Sequence, residues 1–475
     1  MDVAIVVAYL AAMIAFGFWG KRRATTESDF LVAGRRLGPL LYAGTLSALV
    51  LGGASTIGGV GLGYEYGLSG MWLVVAIGTG VLLLSLLFAG RVQRLRVYTV
   101  SQMLELRYGP GSSVLSGVVM FGYTLMLTVT STIAYATIFA ALLDLPRVPS
   151  ILVGGLVVVI YSALGGMWSI TLTDFVQFLI QTVGIFLILL PVVLVEAGGL
   201  AALPPEALSP TTIGGDTILT YFVIYTFGLL IGQDIWQRVF TARTPGVARW
   251  AGAAAGVYCL LYGVAGALVG MGASVLVPGL EEPGDAFTAV VGATMTPVLA
   301  GLVLAAALAA VMSTASGSLI ATATVFGQDI VQRLRGRSDG SDGSEAAHVR
   351  GHRLLVVAFG VVAIVIACLL QDVVAALTIA YDILVGGLLV PIIGGLMWRR
   401  ATIVGAVAAM AAGTVATLVT MAVVGDIEAN EPIYVGLVAG LVVFVVGSLA
   451  SRPTAPAVLA EWDRRSSGAA ETPVG

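Results

Sequence analysis

The sequence predicts an all-α polytopic membrane protein of about thirteen transmembrane helices, from composition, from the spacing of its apolar runs and from its arginines. Of 475 residues, 58% are hydrophobic and only 10% are charged, and mean hydropathy is +1.02. A water-soluble domain carries about 25% charged residues, so this chain lacks the polar surface to cover a large core in water. Its apolar residues fall in charge-free runs close to the ~20 residues that cross a bilayer.

The runs, in order, are roughly 2–20, 41–64, 67–90, 113–143, 150–168, 172–196, 217–236, 250–278, 293–325, 354–371, 374–398, 402–425 and 433–451. Turn residues separate them: Pro146 with Pro149, Gly165-Gly166, Pro204-Pro205, and Pro278 with Pro283. Residues 148–173 carry no charge, so the turn there rests on Gly165-Gly166 alone. The run 286–328 is too long for one straight span, and a surface helix is expected at its start. If the N-terminus is outside, all of the 23 basic residues except Arg147 fall on the cytoplasmic side. Asp2 before the first run and Lys21-Arg22-Arg23 after it make that run an N-out anchor, the reverse of a cleavable signal. The chain is thus expected in the plasma membrane with its C-terminus cytoplasmic.

Two polar pieces remain. Residues 334–352 form a Gly/Ser/Asp-rich cytoplasmic loop and 452–475 a tail, both expected to be disordered. A net charge of −3 offers no basic face to nucleic acid. Cys259 and Cys368 sit inside apolar runs, without disulfide or zinc spacing.

Three features inside the runs point to chemistry. Acids at bilayer depth are costly unless they work or pair, and the candidates are Glu65, Asp174, Asp234 and Asp382, with no basic partner expected at that depth. Glu65 and Asp234 lie near run ends and read as hydrated; Asp174 and Asp382 lie deeper and read as functional. Glycines interrupt the second run at Gly52-Gly53, Gly58-Gly59, Gly61 and Gly63, and the seventh at Gly228 and Gly232. Broken helices opening two blocks of five spans are the pattern of an inverted-repeat carrier, and close packing through small residues explains the same glycines. Ala310, Ser313 and Thr314 share one helix face by their spacing. Their oxygens, with carbonyls freed by the broken second run, suit Na+ and poorly suit a proton, since none titrates near neutral pH; back-bonding within the helix is the plain alternative.

The chain resembles the sodium:solute symporters over about residues 1–450. The likeness rests on Ser28–Arg35 (SDFLVAGR), on Tyr161–Trp168 (YSALGGMW) followed by Thr173–Gln177 (TDFVQ), and on Gln233–Arg238 (QDIWQR), Ala310–Thr314 (AVMST) and Phe326–Ile330 (FGQDI). It implies the leucine-transporter-like five-plus-five inverted repeat with broken helices. Residues 1–40 are then a leading helix and loop, 41–196 and 217–398 the two repeats, and 402–451 two accessory helices. The implied Na+ ligands are Ala48, Leu51, Ala310, Ser313 and Thr314. Asp174 and Ser316 are implied as a second-ion or release path, although Gly317 stands where two-sodium members carry another serine. The implied substrate residues are Gly53, Ser55, Thr56, Tyr225, Gly228, Thr378, Tyr381 and Asp382, with Trp72 and Tyr123 as aromatic walls. Ser55 and Tyr225 replace the amide and acidic side chains of the sugar carriers, which argues against a sugar.

The expected activity is therefore not enzymatic. It is Na+-coupled uptake of a small organic solute by alternating access, a zwitterion or monocarboxylate being favoured, by a monomer in the lipid bilayer. Two other readings stay open: a proton-coupled symporter using Asp174 or Asp382, and a transporter-like membrane sensor.

Overall fold

The computed structural model describes residues 2–143, 145–334, 344–370, 373–425 and 429–467. Every regular element among them is helical, as a chain facing lipid requires, because a helix pairs its own backbone groups. Ten helices are long and apolar enough to cross a membrane, or eleven counting Gly215–Ile231 with Gln233–Thr241, bent by 42°. Two of them, Ala54–Arg94 and Arg147–Glu196, run 41 and 50 residues. At about 1.5 Å per residue each is about twice the ~30 Å hydrocarbon core. Each is interrupted by a glycine of positive φ, Gly67 (65°) or Gly166 (54°), so each reads as two crossings, which recovers the thirteen expected.

The second crossing is itself broken. Helix Pro39–Val50 ends where Leu51 leaves helical dihedrals (φ −93°, ψ 68°), and Ala54–Gly58 resumes the path in a wide turn. The seventh breaks at Gly232, whose extended backbone (φ −61°, ψ 135°) separates Phe227–Ile231 from Gln233–Thr241. Leu37, before one broken helix, pairs its backbone with Thr241 and Arg243, after the other.

Helix Pro297–Val325 runs through the middle of the bundle, with all of 303–325 buried. Its run of Ala, Gly, Ser and Thr lets neighbours approach closely. Ile403–Val424 and Glu431–Ala450 instead expose long apolar rows, including Val415, Val419, Val438 and Val442. In water so large an apolar face is a liability; against lipid it is a match. Arg147, the basic residue expected outside, donates to the Ala367, Cys368 and Leu370 carbonyls at the end of Glu345–Leu369, the end of a helix that favours a cation.

The surface helix expected at the start of run 286–328 is Ala286–Thr294, with Pro297 opening the long helix. Two expectations of disorder fail in part. Residues 345–352 are the first turns of Glu345–Leu369, capped by Ser344 and anchored by His352, which hydrogen-bonds Glu27 at 2.9 Å. Residues 335–343 lie outside the described set. In the tail, Pro456–Ser467 is helical because Trp462 finds a buried seat and Asp463 pairs with Arg399 at 2.9 Å; residues 468–475 are not described.

Candidate functional site

The broken second crossing lies against the middle of Pro297–Val325, and their oxygens converge. Ser313 Oγ donates to Ala48 O at 2.7 Å and lies 2.8 Å from Ala310 O. Thr314 Oγ1 donates to Leu49 O at 2.6 Å and lies 3.5 Å from Ala310 O. The family resemblance implies Leu51 in this cluster. The carbonyl that faces Thr314 is Leu49's, because the helix runs on to Val50 before turning away. The approach is close enough that a Cβ on Gly52 would sit 2.5 Å from Thr314 Oγ1. No charged side chain takes part, so the cluster is neutral and all oxygen, chemistry that suits a hard monovalent cation.

Below it sits Asp174. Its Oδ2 accepts from Thr45 Oγ1 at 2.9 Å and from Arg238 Nη2 at 2.7 Å. The expectation that no basic residue reaches this depth is therefore wrong. Arg238 had been counted with the cytoplasmic cations, but its side chain is 1% exposed, because the break at Gly232 carries Gln233–Thr241 into the bundle, where every residue of that helix is buried. Ser316 donates to Ser313 O at 3.1 Å. A Cβ at Gly317 would meet Leu49 Cδ1 at 2.2 Å and Arg238 Nη2 at 3.2 Å, so a serine there would have to displace the Leu49 methyl and crowd the ion pair.

On the other side of Thr314 a cavity of about 30 Å³, room for about one water, is lined by Gly53, Ser55, Asp234, Thr314, Leu377 and Tyr381 among others. Of the ten expected substrate residues, Gly53, Ser55 and Tyr381 line it. Tyr123, Tyr225 and Gly228 back it. Tyr123 and Tyr225 each place their ring 5.5 Å from that of Tyr381, and a Cβ on Gly228 would meet Tyr381 at 2.2 Å. Thr56 turns away to share a hydrogen bond with Tyr262 at 2.9 Å. Trp72, at the end of its crossing, donates to Pro210 O at 2.6 Å and is not a wall of the cavity. Thr378 and Asp382 are buried off the cavity, and neither Asp382 oxygen has a hydrogen-bond partner among the described residues.

Asp234, near a run end and expected there to be hydrated, is instead buried. It is 4% exposed, lines the cavity, and accepts from Tyr123 OH at 2.8 Å. The available signal was Gly232 just before it: a helix that restarts after a break puts its first residues at depth.

The sodium/proline symporters of several Staphylococcus aureus strains are 26% identical to this chain over 487 aligned residues, covering 95% of this chain and 93% of theirs. Among solved structures, an outward-open, substrate-bound Na+-coupled sialic acid symporter superposes with a TM-score of 0.84 at 18% identity, covering 96% of this chain and 98% of its own. A nucleobase-cation-symport-1 family transporter follows at 0.57 and 16%, covering 92% and 98%, and MhsT with L-phenylalanine at 0.58 and 12%, covering 86% and 98%. These likenesses show the inverted-repeat fold with broken helices. With the model for the family matching residues 30–413, the chain belongs to the sodium:solute symporter family.

Proposed function

We propose that this chain couples inward Na+ flow to uptake of a small zwitterionic or monocarboxylate solute by alternating access. It acts as a monomer in the plasma membrane, N-terminus outside and C-terminus inside, with 41–196 and 217–398 as the two repeats. The observation that carries this is the convergence of Ser313 and Thr314 on carbonyls of the broken second crossing. Na+ enters by taking lone pairs from the two hydroxyls and from the Ala48, Leu49 and Ala310 carbonyls, after the hydroxyl protons turn away from their present acceptors. Because the second crossing supplies one half of this cage and Pro297–Val325 the other, the ion favours the arrangement that holds them together. A ligand shifts a conformational equilibrium only by its differential affinity for the two states, and a cage split between two elements provides that difference.

The cavity beside Thr314 is too small for an organic solute, so solute entry requires these elements to separate, which supports alternating access. Asp174 lies on the inward side of the cage and offers Na+ a carboxylate on release. Proton coupling is less well supported: Asp174 is held by Arg238, and Asp382 does not line the cavity. The relatives' name makes L-proline the first probe. Purified protein in proteoliposomes should accumulate labelled solute from a panel led by L-proline under an inward Na+ gradient. Uptake that follows a proton gradient with Na+ absent would reject the reading.

A further inference from the structure

We propose that Asp234 recognises a cationic nitrogen on the transported solute, and that the site is therefore built for amine-bearing solutes, protonated or quaternary. This rests on the symport reading and narrows its solute to the zwitterionic class, against the plain monocarboxylate.

The argument begins with charge. Among the described residues that line the central cavity, Asp234 is the one with a charge, and no lysine, arginine or histidine accompanies it. Arg238, one turn along the same helix, is committed to Asp174 at 2.7 Å. The Asp234 carboxylate, 4% exposed, is hydrogen-bonded by Tyr123 and by the amides of Asp234 and Ile235, but the Arg238 charge that also acts on it is bound to Asp174. A positively charged solute group entering the cavity supplies a cation on the side that Arg238 does not reach. A bare carboxylate solute meets like charge there and finds no basic side chain.

The walls point the same way. Tyr123 OH donates to Asp234 Oδ1 at 2.8 Å and fixes the carboxylate. The Tyr123 and Tyr225 rings each lie 5.5 Å from that of Tyr381, which itself lines the cavity. Aromatic faces attract ammonium groups, tetraalkyl ones included. Gly228 supplies the notch that lets Tyr381 come so close. A carboxylate with an aromatic cluster at its shoulder is how a compact organic cation is recognised. An acid near a helix start is also favoured by the helix dipole alone. That role would hold for any solute and gives no reason to prefer amines, so selectivity separates the two.

Uptake of labelled solute into proteoliposomes, driven by an inward Na+ gradient, tests this with solute pairs differing only in the nitrogen: L-proline against cyclopentanecarboxylate, and glycine betaine against tert-butylacetate. The wild-type protein should respond to nitrogen-bearing members and not to their nitrogen-free partners. Asp234→Asn should raise the half-saturation for an accepted amine about ten- to a hundred-fold, the worth of a charge-assisted contact, and erode the preference over its partner. Asp234→Glu should retain that preference. Tyr123→Phe, which keeps the carboxylate and removes its hydroxyl donor, should raise half-saturation a few-fold, and it carries the test if Asp234→Asn does not fold. The proposal is overturned if a nitrogen-free partner is carried as well as its amine, or if Asp234→Asn changes neither half-saturation nor preference. A wild-type protein giving Na+-dependent uptake of no member of either pair, but of another solute that lacks nitrogen, overturns it while leaving the symport reading intact. No Na+-dependent uptake of any solute rejects the symport reading itself.

Discussion

Arg238 and Asp174, 64 residues apart in sequence, form an ion pair of 2.7 Å with neither side chain more than 1% exposed. The pair ties the restarted half of the seventh crossing to the sixth, directly below the Ser313–Thr314 oxygens. Charges so buried are tolerated as a pair and penalised singly, since removing one partner leaves the other uncompensated at a cost of about 3–5 kcal/mol.

Asp174→Asn should therefore lose thermal stability as well as transport, and Arg238→Gln should do the same. The double variant should regain most of the stability while transport stays low, because the restored neutrality does not replace the carboxylate beside the Ser313–Thr314 oxygens. Thermal unfolding of the purified variants in detergent, beside uptake, reads both. Equal losses in single and double variants would show that the pair is not coupled.

Ser313→Ala and Thr314→Ala should each weaken Na+ activation about ten- to a hundred-fold, since a hydrogen bond or ion contact of this charge-assisted kind is worth about 1.5–3 kcal/mol. Raising external Na+ should recover part of the uptake. Thr420→Ala, whose hydroxyl donates to Ala416 O within a peripheral helix, should match the wild type. Unchanged Na+ activation in both cage variants would remove the assigned site.

Gly52→Ala tests the same site through the backbone. The new methyl would lie 2.5 Å from Thr314 Oγ1, so either the hydroxyl or the broken segment must shift, and Na+ activation should fall. Gly58→Ala is the control, with nothing within 4 Å of an added Cβ. If the two variants behave alike in Na+ titrations, the close approach at Gly52 has no part in ion binding.

Asp382 distinguishes a buried acid from a contact. It lies off the cavity and its oxygens lack partners among the described residues, so Asp382→Asn should leave solute half-saturation within about two-fold, well below the ten-fold of a lost charged contact. Solute titration beside Asp234→Asn decides; a ten-fold rise at Asp382 would put it in the substrate path.

Away from the broken crossings, Glu27 joins the short helix Glu27–Val32 to Glu345–Leu369. Burial pushes its carboxyl up, but the hydrogen bond and charge of His352, with His348 and Gln328 adding, bring it below the ordinary 4.5. The folded-state value lies under the unfolded one, so the contact contributes fully above about pH 4.5 and is lost as pH falls through the lower value. Amide exchange over 345–352, corrected for intrinsic rate, should accelerate on acidification in that range. His352→Ala should exchange fast at higher pH too; a flat profile in the wild type would show the contact is not held by charge.

The sequence by itself determined the crossings and the hydroxyl pair, because both are local. A charge-free run of about 20 residues has no alternative to a helix in lipid. Ser313 and Thr314 share a face with Ala310 through helical spacing alone. Glycine marked both breaks for the same reason, since the residues that weaken a helix sit where it stops. What tertiary structure decided is everything that depends on two breaks meeting. Arg238 reads as a cytoplasmic cation until the turn at Gly232 carries it to Asp174. Asp234 and Asp382 are both acids in apolar runs, and only the fold puts the first at the cavity, held by Tyr123, and leaves the second outside it. Leu49 replaces Leu51 opposite Thr314 because the end of Pro39–Val50 is set by its fit against Pro297–Val325. No period along the chain encodes which side of a broken helix its neighbour will fill.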